Sequence, residues 1–330
     1  MSIDSKLYPL TFVPIFKERV WGGRNLERLF GKKLPAEKII GESWEISDRQ
    51  DDNSIVDRGD LRGVSLQRLL VERQEEIMGA SKLLAGRFPL LVKILDAQQK
   101  LSLQVHPPAS IAGVLGGDPK TEMWLMADCQ PNADLFVGLK KGVSREHFEN
   151  SIDSGDVAEC FHRIEVSQGD AMFLPSGRVH AIGAGNVIFE IQQNSDTTYR
   201  VYDWGRLGLD GRPRDLHIAE SLRSIDFADF EPALVPADMV EAGAGIHRRA
   251  LVESSLFTVD HLKLSEGAAL RPERSDAVQV LGLVSGELVC RGNGIDVSLS
   301  AGQFCLLPAA VDALVFTETI ASECLLATAG

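Results

Sequence analysis

The segment GDAMFLPSGRVH, Gly169–His180, reads as a turn, a strand, a tight Pro-x-Gly bend and then an inward-aimed imidazole. Upstream, Gln104-Val105-His106 places two further candidate ligands two residues apart on a strand-like run. Successive strand side chains point to opposite faces, so Gln104 and His106 share one face. Residues distant in the chain can therefore meet inside one β-barrel and grip a single metal ion. A third stretch, VIFEIQQN, puts Phe189 and Ile191 on one face and Glu190, Gln192 and Asn194 on the other. If that second face lines the lumen, Glu190 is a carboxylate near the metal and a candidate acid/base. Alternation alone does not separate a polar lumen from an exposed strand face.

The elements that must position these residues are mostly strands. Alternating or β-branched runs recur at Ser54–Val56, Leu90–Leu95, Leu101–Val105, Ala171–Leu174, Val187–Gln192, Leu256–Leu264, Ala277–Val284, Glu287–Arg291, Gly302–Leu307 and Ala313–Phe316. Gly, Pro, Asp and Asn punctuate them, as in an all-β sandwich or barrel. Helical spacing appears at Leu66–Met78, Ser144–Ile152, Val157–Ile164 and Leu216–Ile225, which read as insertions in a β framework. Ser144 is a candidate helix cap.

A weak internal repeat lays Gly169-DAMFL-Pro175 over Gly302-QFCLL-Pro308. Five residues beyond each proline stand His180 and Ala313, so the second copy keeps the turn and strand signals and lacks the imidazole. The expected architecture is two related β-barrels with helical insertions, mainly β overall, with a metal site only in the first. The proline-bearing stretch Phe230–Ala244 suits the linker, which gives domains of residues 1–235 and 236–330.

Composition narrows the function. The chain has 330 residues, 44% hydrophobic and 25% charged, with 34 Lys and Arg against 47 Asp and Glu, a formal net charge of −13. That acidity argues against nucleic-acid binding. It also means that an anionic substrate needs a local cluster of Lys and Arg. Five scattered cysteines without a C-x-x-C pair argue against a disulfide framework or a thiolate zinc site. The N-terminal residues show no signal-peptide pattern, and no apolar run is long enough to span a membrane, so a cytoplasmic location is expected.

Gly169–His180 fits the second motif of the cupin superfamily, G-x5-P-x-G-x2-H. The usual H-x-H of the first motif is replaced by Gln104-Val105-His106, followed by Glu122 within KTEMW. In order along the chain, Trp21-Gly22-Gly23, GESWEISD, FPLLVKILDA, KLSLQVHPP, KTEMW, LPSGRVHAIGAG and NSDTTYRVYDWGR resemble the type I phosphomannose isomerases, particularly their shorter bacterial form. The likeness runs from about Trp21 to Arg206 and is diffuse beyond.

The resemblance implies one Zn²⁺ per chain, held by Gln104, His106, Glu122 and His180. Two imidazoles, a carboxylate and an amide oxygen suit zinc and would also accept Co²⁺, Mn²⁺ or Fe²⁺. Taken singly, each has an ordinary explanation: strand glutamines and lone histidines usually pack or face solvent, and Glu122 reads as part of a polar loop. Their order and neighbours together carry the reading. The resemblance also places Arg200 and Lys120 at the substrate and Lys100 and Ser102 near its phosphate end, while Asp196 either orients Arg200 or closes a turn. The four tryptophans read as packing residues rather than a sugar-stacking platform. The implied activity interconverts mannose 6-phosphate and fructose 6-phosphate through a metal-assisted cis-enediolate, in a monomer or homodimer with a phosphorylated hexose as its partner. Glu190 is the first candidate for the base, with Lys120 or a metal-bound water as rivals. A cupin dioxygenase and a non-catalytic sugar-binding cupin are the alternatives; the glutamine in place of the first histidine and the lysine- and arginine-bearing motifs weigh against a dioxygenase.

Overall fold

The computed structural model describes residues 5–272, 276–317 and 320–330. The chain is mainly β, as the alternating runs predict. Its first eleven strands are β1 (Ile15–Gly23), β2 (Ile40–Ile46), β3 (Leu90–Ala97), β4 (Leu103–Val105), β5 (Glu122–Cys129), β6 (Asp134–Leu139), β7 (Phe161–Glu165), β8 (Ala171–Leu174), β9 (His180–Ile182), β10 (Asn186–Gln193) and β11 (Tyr199–Tyr202). They make a six-stranded sheet, β1-β2-β3-β10-β5-β8, and a five-stranded sheet, β11-β4-β9-β6-β7. The two stack on a core with Leu95, Trp124, Met172 and Ile188 from one sheet and Leu135, Val137 and Ile182 from the other.

The remaining strands are β12 (Val240–Gly243), β13 (Ile246–Glu253), β14 (Phe257–Leu264), β15 (Ala269–Leu270), β16 (Gln279–Ser285), β17 (Glu287–Gly292), β18 (Ile295–Ser300), β19 (Phe304–Leu307), β20 (Leu314–Phe316) and β21 (Ser322–Ala329). They form a six-stranded sheet, β12-β13-β14-β21-β16-β19, and a four-stranded one, β15-β20-β17-β18. The run β3-β10-β5-β8 thus has its counterpart in β14-β21-β16-β19. The two copies of the Gly-x5-Pro pattern build β8 and β19, which occupy the same edge. The repeat seen in the sequence is a repeat of topology.

Closed barrels were expected; among the described residues no sheet closes on itself, and each lobe is a pair of stacked open sheets. Their edges are covered by neighbouring chain instead of by each other. Leu10 exchanges both backbone hydrogen bonds with Leu306 on β19, and Val235 donates to Ala171 on β8. The lobes also share one core, in which Phe189 lies 5.5 Å from Phe30 and 5.4 Å from Phe304 between ring centres.

The helix over Leu66–Met78 forms as predicted, with Ser65 capping the Arg68 N–H. That over Arg145–Ser154 is capped by Ser144 and ends at left-handed Gly155. Ile218–Ser224 is helical within its predicted span. Val157–Ile164 is different: a single 3₁₀ turn, Val157–Cys160, leads into β7, whose pairing with β6 overrides a short helical pattern. The stretch read as a linker ends in β12, a hairpin arm paired with β13 across Gly245. Among the described residues no helix is long and apolar enough to cross a membrane.

Candidate active site

Three buried side chains, His106, Glu122 and His180, bring their ligand atoms within 4.8 Å of one another. Each is delivered by a different part of the first lobe. Gln104 on β4 pairs directly with His180 on β9, and His106 follows one residue after β4 ends. Glu122 opens β5, opposite Leu174 and Gln192. The Pro175-Ser-Gly177 bend ties these pieces together. Gly177 has φ near +96°, a conformation glycine adopts without penalty, and its N–H donates to the His106 carbonyl at 2.8 Å. The sequence motif therefore aims His180 and anchors His106 at once. Glu122, expected in a polar loop, is a fully buried strand residue.

The hydrogen bonds orient both imidazoles as ligands. His106 Nδ1 donates to the Thr197 carbonyl at 2.8 Å and His180 Nδ1 to the Arg178 carbonyl at 2.9 Å. Each ring therefore turns its Nε2 lone pair toward the centre, the arrangement that second-sphere carbonyls impose on metal-binding histidines. His106 Nε2 lies 3.2 Å from Glu122 Oε1, and His180 Nε2 lies 3.7 Å from Oε2. Burial, with the Lys120 charge in support, lowers His106; burial and the His106 charge push His180 down to about 3, so both rings are neutral at ordinary pH.

Glu122 supplies the fit test for a cation. Neither of its oxygens has a hydrogen-bond donor, although both are fully buried. Lys120 Nζ forms an ion pair with Oε1 at 2.7 Å and donates to His106 Nε2 at 3.4 Å. Burial would raise the Glu122 carboxyl, but Lys120 and the two imidazoles hold it well below the usual carboxylate range. A buried anion with empty acceptor sites, facing two imidazole lone pairs, suits a divalent ion. Gln104 reaches the same centre with its amide: Nε2 is 3.3 Å from His180 Nε2, while Oε1 accepts from Ser102 at 3.3 Å. A half-turn of the last torsion exchanges the amide's two ends.

Beside this cluster opens a cavity of about 560 Å³ whose walls include Ser102, Gln104, Lys120, Glu190, Asp196 and Arg200. The question left open by alternation at Glu190 is thereby answered: its face is interior, and Glu190, Gln192 and Asn194 are all buried. Burial and the Glu122 charge raise Glu190 to about 7 against the opposing pull of Lys93 and Lys120. Arg200 donates Nη1 to the Asp215 carbonyl at 2.7 Å and leaves its buried Nε unpartnered. Asp196 stands exposed on the wall. Lys100 is not among the lining residues; its ammonium lies 4.8 Å from the Trp204 ring centre and 5.3 Å from that of Phe136.

The cavity also contains residues that sequence reasoning passed over, chiefly Arg19, Glu42, Lys93 and Arg214. Lys93 was legible as a lone cation in the apolar run LLVKIL, a pattern that is costly unless the charge is paired. Its partner is Glu190, 3.5 Å away. Trp124 donates its indole N–H to Glu190 at 2.8 Å, and Trp44 does the same for Glu42 at 2.6 Å, so these tryptophans orient acids as well as pack.

A His–Glu–His cluster opening on a charged, ligand-sized cavity defines a small-molecule enzyme with a metal-ready centre. Comparison with known proteins agrees. The family model for the type I phosphomannose isomerase catalytic domain matches residues 10–134. The probable mannose-6-phosphate isomerase GmuF of Bacillus subtilis is 38% identical over 311 residues, covering 92% of this chain and 94% of that protein. The mannose-6-phosphate isomerase ManA of the same organism is 38% identical over 269 residues, covering 81% and 82%. The crystal structure of the mannose 6-phosphate isomerase from Bacillus subtilis superposes with a TM-score of 0.87 at 31% identity, covering 97% of this chain and 99% of that one. The chain belongs to the type I phosphomannose isomerase family.

Proposed function

We propose that this protein interconverts mannose 6-phosphate and fructose 6-phosphate in the cytoplasm, with one zinc ion held by His106, Glu122, His180 and Gln104. The observation that carries the reading is the hydrogen-bond-free Glu122 carboxylate set between two inward imidazole lone pairs, next to the cavity that holds Glu190. Bound there, the ion supplies Lewis-acid stabilisation of negative charge on the sugar oxygens.

The rest of the chemistry belongs to the chain's own side chains. The reaction moves a proton between C2 and C1 of the open-chain sugar through a cis-enediolate, and the weak acidity of that C–H bond is the obstacle. Glu190, raised to about 7, is divided between base and acid near neutral pH and suits both halves of the transfer. Lys120 is the weaker candidate for base: Glu122 and Glu190 outweigh its burial and raise it, so it stays a cation that balances Glu122. Lys93 Nζ, beside Glu190, is placed to donate to a substrate oxygen. Arg200, with its free Nε, offers a guanidinium to the phosphate or to the developing enediolate. Ser102 steadies Gln104 and lines the wall. Holding the phosphate away from the reacting carbons spends remote binding on orientation.

The test is a coupled isomerase assay with metal content measured on each preparation. Wild type is expected to convert mannose 6-phosphate. His180→Ala should lose metal and turnover together, and Arg200→Ala should keep the metal and lose most turnover. Saturable binding of mannose 6-phosphate to metal-replete wild type without product would refute the proposal.

A further inference from the structure

One row of side chains crosses four strands on the cavity face. Lys93 on β3 sits directly opposite Trp44 on β2 and Glu190 on β10, and Glu190 sits opposite Trp124 on β5. Glu42, two residues before Trp44, is on the same face of β2. Its oxygens are held from two sides, Oε1 by Arg19 Nε at 2.8 Å and Oε2 by the Trp44 indole at 2.6 Å. Lys93 Nζ lies 3.9 Å from Glu42 Oε2 and 3.5 Å from Glu190 Oε2. Both separations exceed an ordinary N–H···O bond. The ammonium is thus suspended between two carboxylates and bonded tightly to neither.

We infer that Glu42 is a positioning residue for the isomerase reaction, drawing Lys93 back from Glu190 so that the Glu190 carboxylate and the Lys93 ammonium both remain available to substrate. The inference rests on the isomerase reading above. Two anions compete for one buried cation, and Arg19 offsets the charge that the second anion adds. With Glu42 made neutral, the nearest anion to Lys93 is Glu190, and a contact ion pair there would occupy the base and the donor with each other. In a buried setting that attraction is only weakly screened. The indole of Trp44 and the guanidinium of Arg19 keep Glu42 from swinging toward Lys93 and closing the gap. Glu42 is anionic through the working range: burial would raise it, but Lys93 and Arg19 hold it at about 2. Besides Lys93, the charges that act most strongly on Glu190 are those of Glu122 and Lys120, and these are unchanged by substitution at residue 42.

The experiment compares wild type, Glu42→Gln, Glu42→Asp and Arg19→Gln, measuring kcat and KM for mannose 6-phosphate, the pH profile of kcat and bound metal. Glutamine preserves shape and an acceptor for Trp44. Glu42→Gln is expected to lose about 10- to 100-fold in kcat, on the scale of general acid–base catalysis, with KM within about threefold of wild type, the signature of an interaction acting in the transition state. Its metal content should be full, and the acid limb of kcat should move to lower pH because Glu190 then ionises against a closer cation. Glu42→Asp, which keeps the charge, should recover most of the loss. Arg19→Gln, which frees Glu42 to close on Lys93, should lower kcat by less and move the limb the opposite way, to higher pH, and it carries the test if Glu42→Gln fails to fold. An unchanged kcat and limb in Glu42→Gln, or equal losses in the Gln and Asp variants with KM rising, overturns the inference. A wild-type protein without isomerase activity overturns the functional reading itself.

Discussion

The two lobes share a strand order and differ in what their strands point inward. Register makes the comparison residue by residue. Glu122 pairs with Leu174, the residue before Pro175, and Gln279 pairs with Leu307, the residue before Pro308. Counting along the same ladders, Trp124 corresponds to Leu281 and Glu190 to Leu326. His180 corresponds to Ala313. Where the first lobe opens a cavity of about 560 Å³, the matching corner of the second leaves about 20 Å³, walled by Gln279, Leu307, Pro308 and Ala313. The backbone arrangement is therefore not what makes the site. A buried carboxylate needs cations or hydrogen-bond donors converging on it, and the second lobe has put an amide, Gln279, and the apolar Leu281, Leu326 and Ala313 in place of that set.

A reciprocal exchange puts this difference between the lobes to its strongest test. Glu122→Gln removes the one anionic member of the candidate metal cluster and should cost roughly 10³-fold in activity, several kcal/mol of transition-state stabilisation, with metal content falling in parallel. Gln279→Glu, the mirror change, should leave kcat within about twofold of wild type and bind no additional metal, because Ala313 offers no imidazole. An extra equivalent of tightly bound zinc in Gln279→Glu would show that the second lobe retains a latent site.

The lobes differ in chemistry but share their core, and the next largest effect tests that union. Phe189 lies between Phe30 and Phe304, so Phe189→Ala should destabilise by about 3–5 kcal/mol, the usual range for a buried phenylalanine. Thermal unfolding followed by calorimetry should show one transition moved to lower temperature. Two separated transitions, with only the first shifted, would show the lobes melting as independent units.

Much of this was legible in the sequence, and the parts that were not have physical reasons. The Gly-x5-Pro-x-Gly-x2-His stretch carries its own turn chemistry, so β8, the bend and His180 all fall where expected. Strand β5 was missed because EMWLMADC neither alternates nor carries β-branched residues; it is buried on both faces, which erases a period of two. That omission is why Glu122 read as part of a loop. Lys93 and Glu42 lie inside segments already noted for their family likeness, yet a charge within an apolar strand is interpretable only when its partner is known. The partners of Lys93, Glu42 on β2 and Glu190 on β10, lie 51 and 97 residues from it in the sequence, so the pairing had to come from the fold.

Acid–base behaviour sharpens the contrast further. Glu190 is raised to about 7 by burial and Glu122, so the base form in the unliganded protein appears as pH climbs through about 7. The value of kcat/KM should rise about tenfold per pH unit below that point and level off above it. Glu190→Gln should abolish the limb along with most turnover. The stability contribution has a matching sign: a raised carboxyl favours the folded state below its ordinary 4.5 and loses that contribution as pH rises through about 7. In the second lobe Glu323 works in the opposite sense. A hydrogen bond from His261 at 3.0 Å, with Lys263 in support, lowers it to about 2, so its contribution is present above 4.5 and is lost as pH falls toward 2. Glu190→Gln should accordingly raise the midpoint of thermal unfolding at pH 8 more than at pH 4. Equal shifts at both pH values would remove Glu190 as the titrating group.

The smallest expected effect separates the cavity wall from its outer rim. Lys100 stands in the same KLSLQVHPP motif as Gln104 and His106, which is why it was expected near the phosphate, but its ammonium rests on the rings of Trp204 and Phe136. Lys100→Ala should then cost about 0.5–1 kcal/mol of stability, the worth of an exposed cation–π contact, and leave KM for mannose 6-phosphate within about twofold. Arg214→Ala provides the control, since Arg214 lines the cavity and is pinned by Asp203 at 2.7 Å. An increase in KM at Lys100 that matched or exceeded that at Arg214 would place the phosphate outside the cavity and return Lys100 to the substrate.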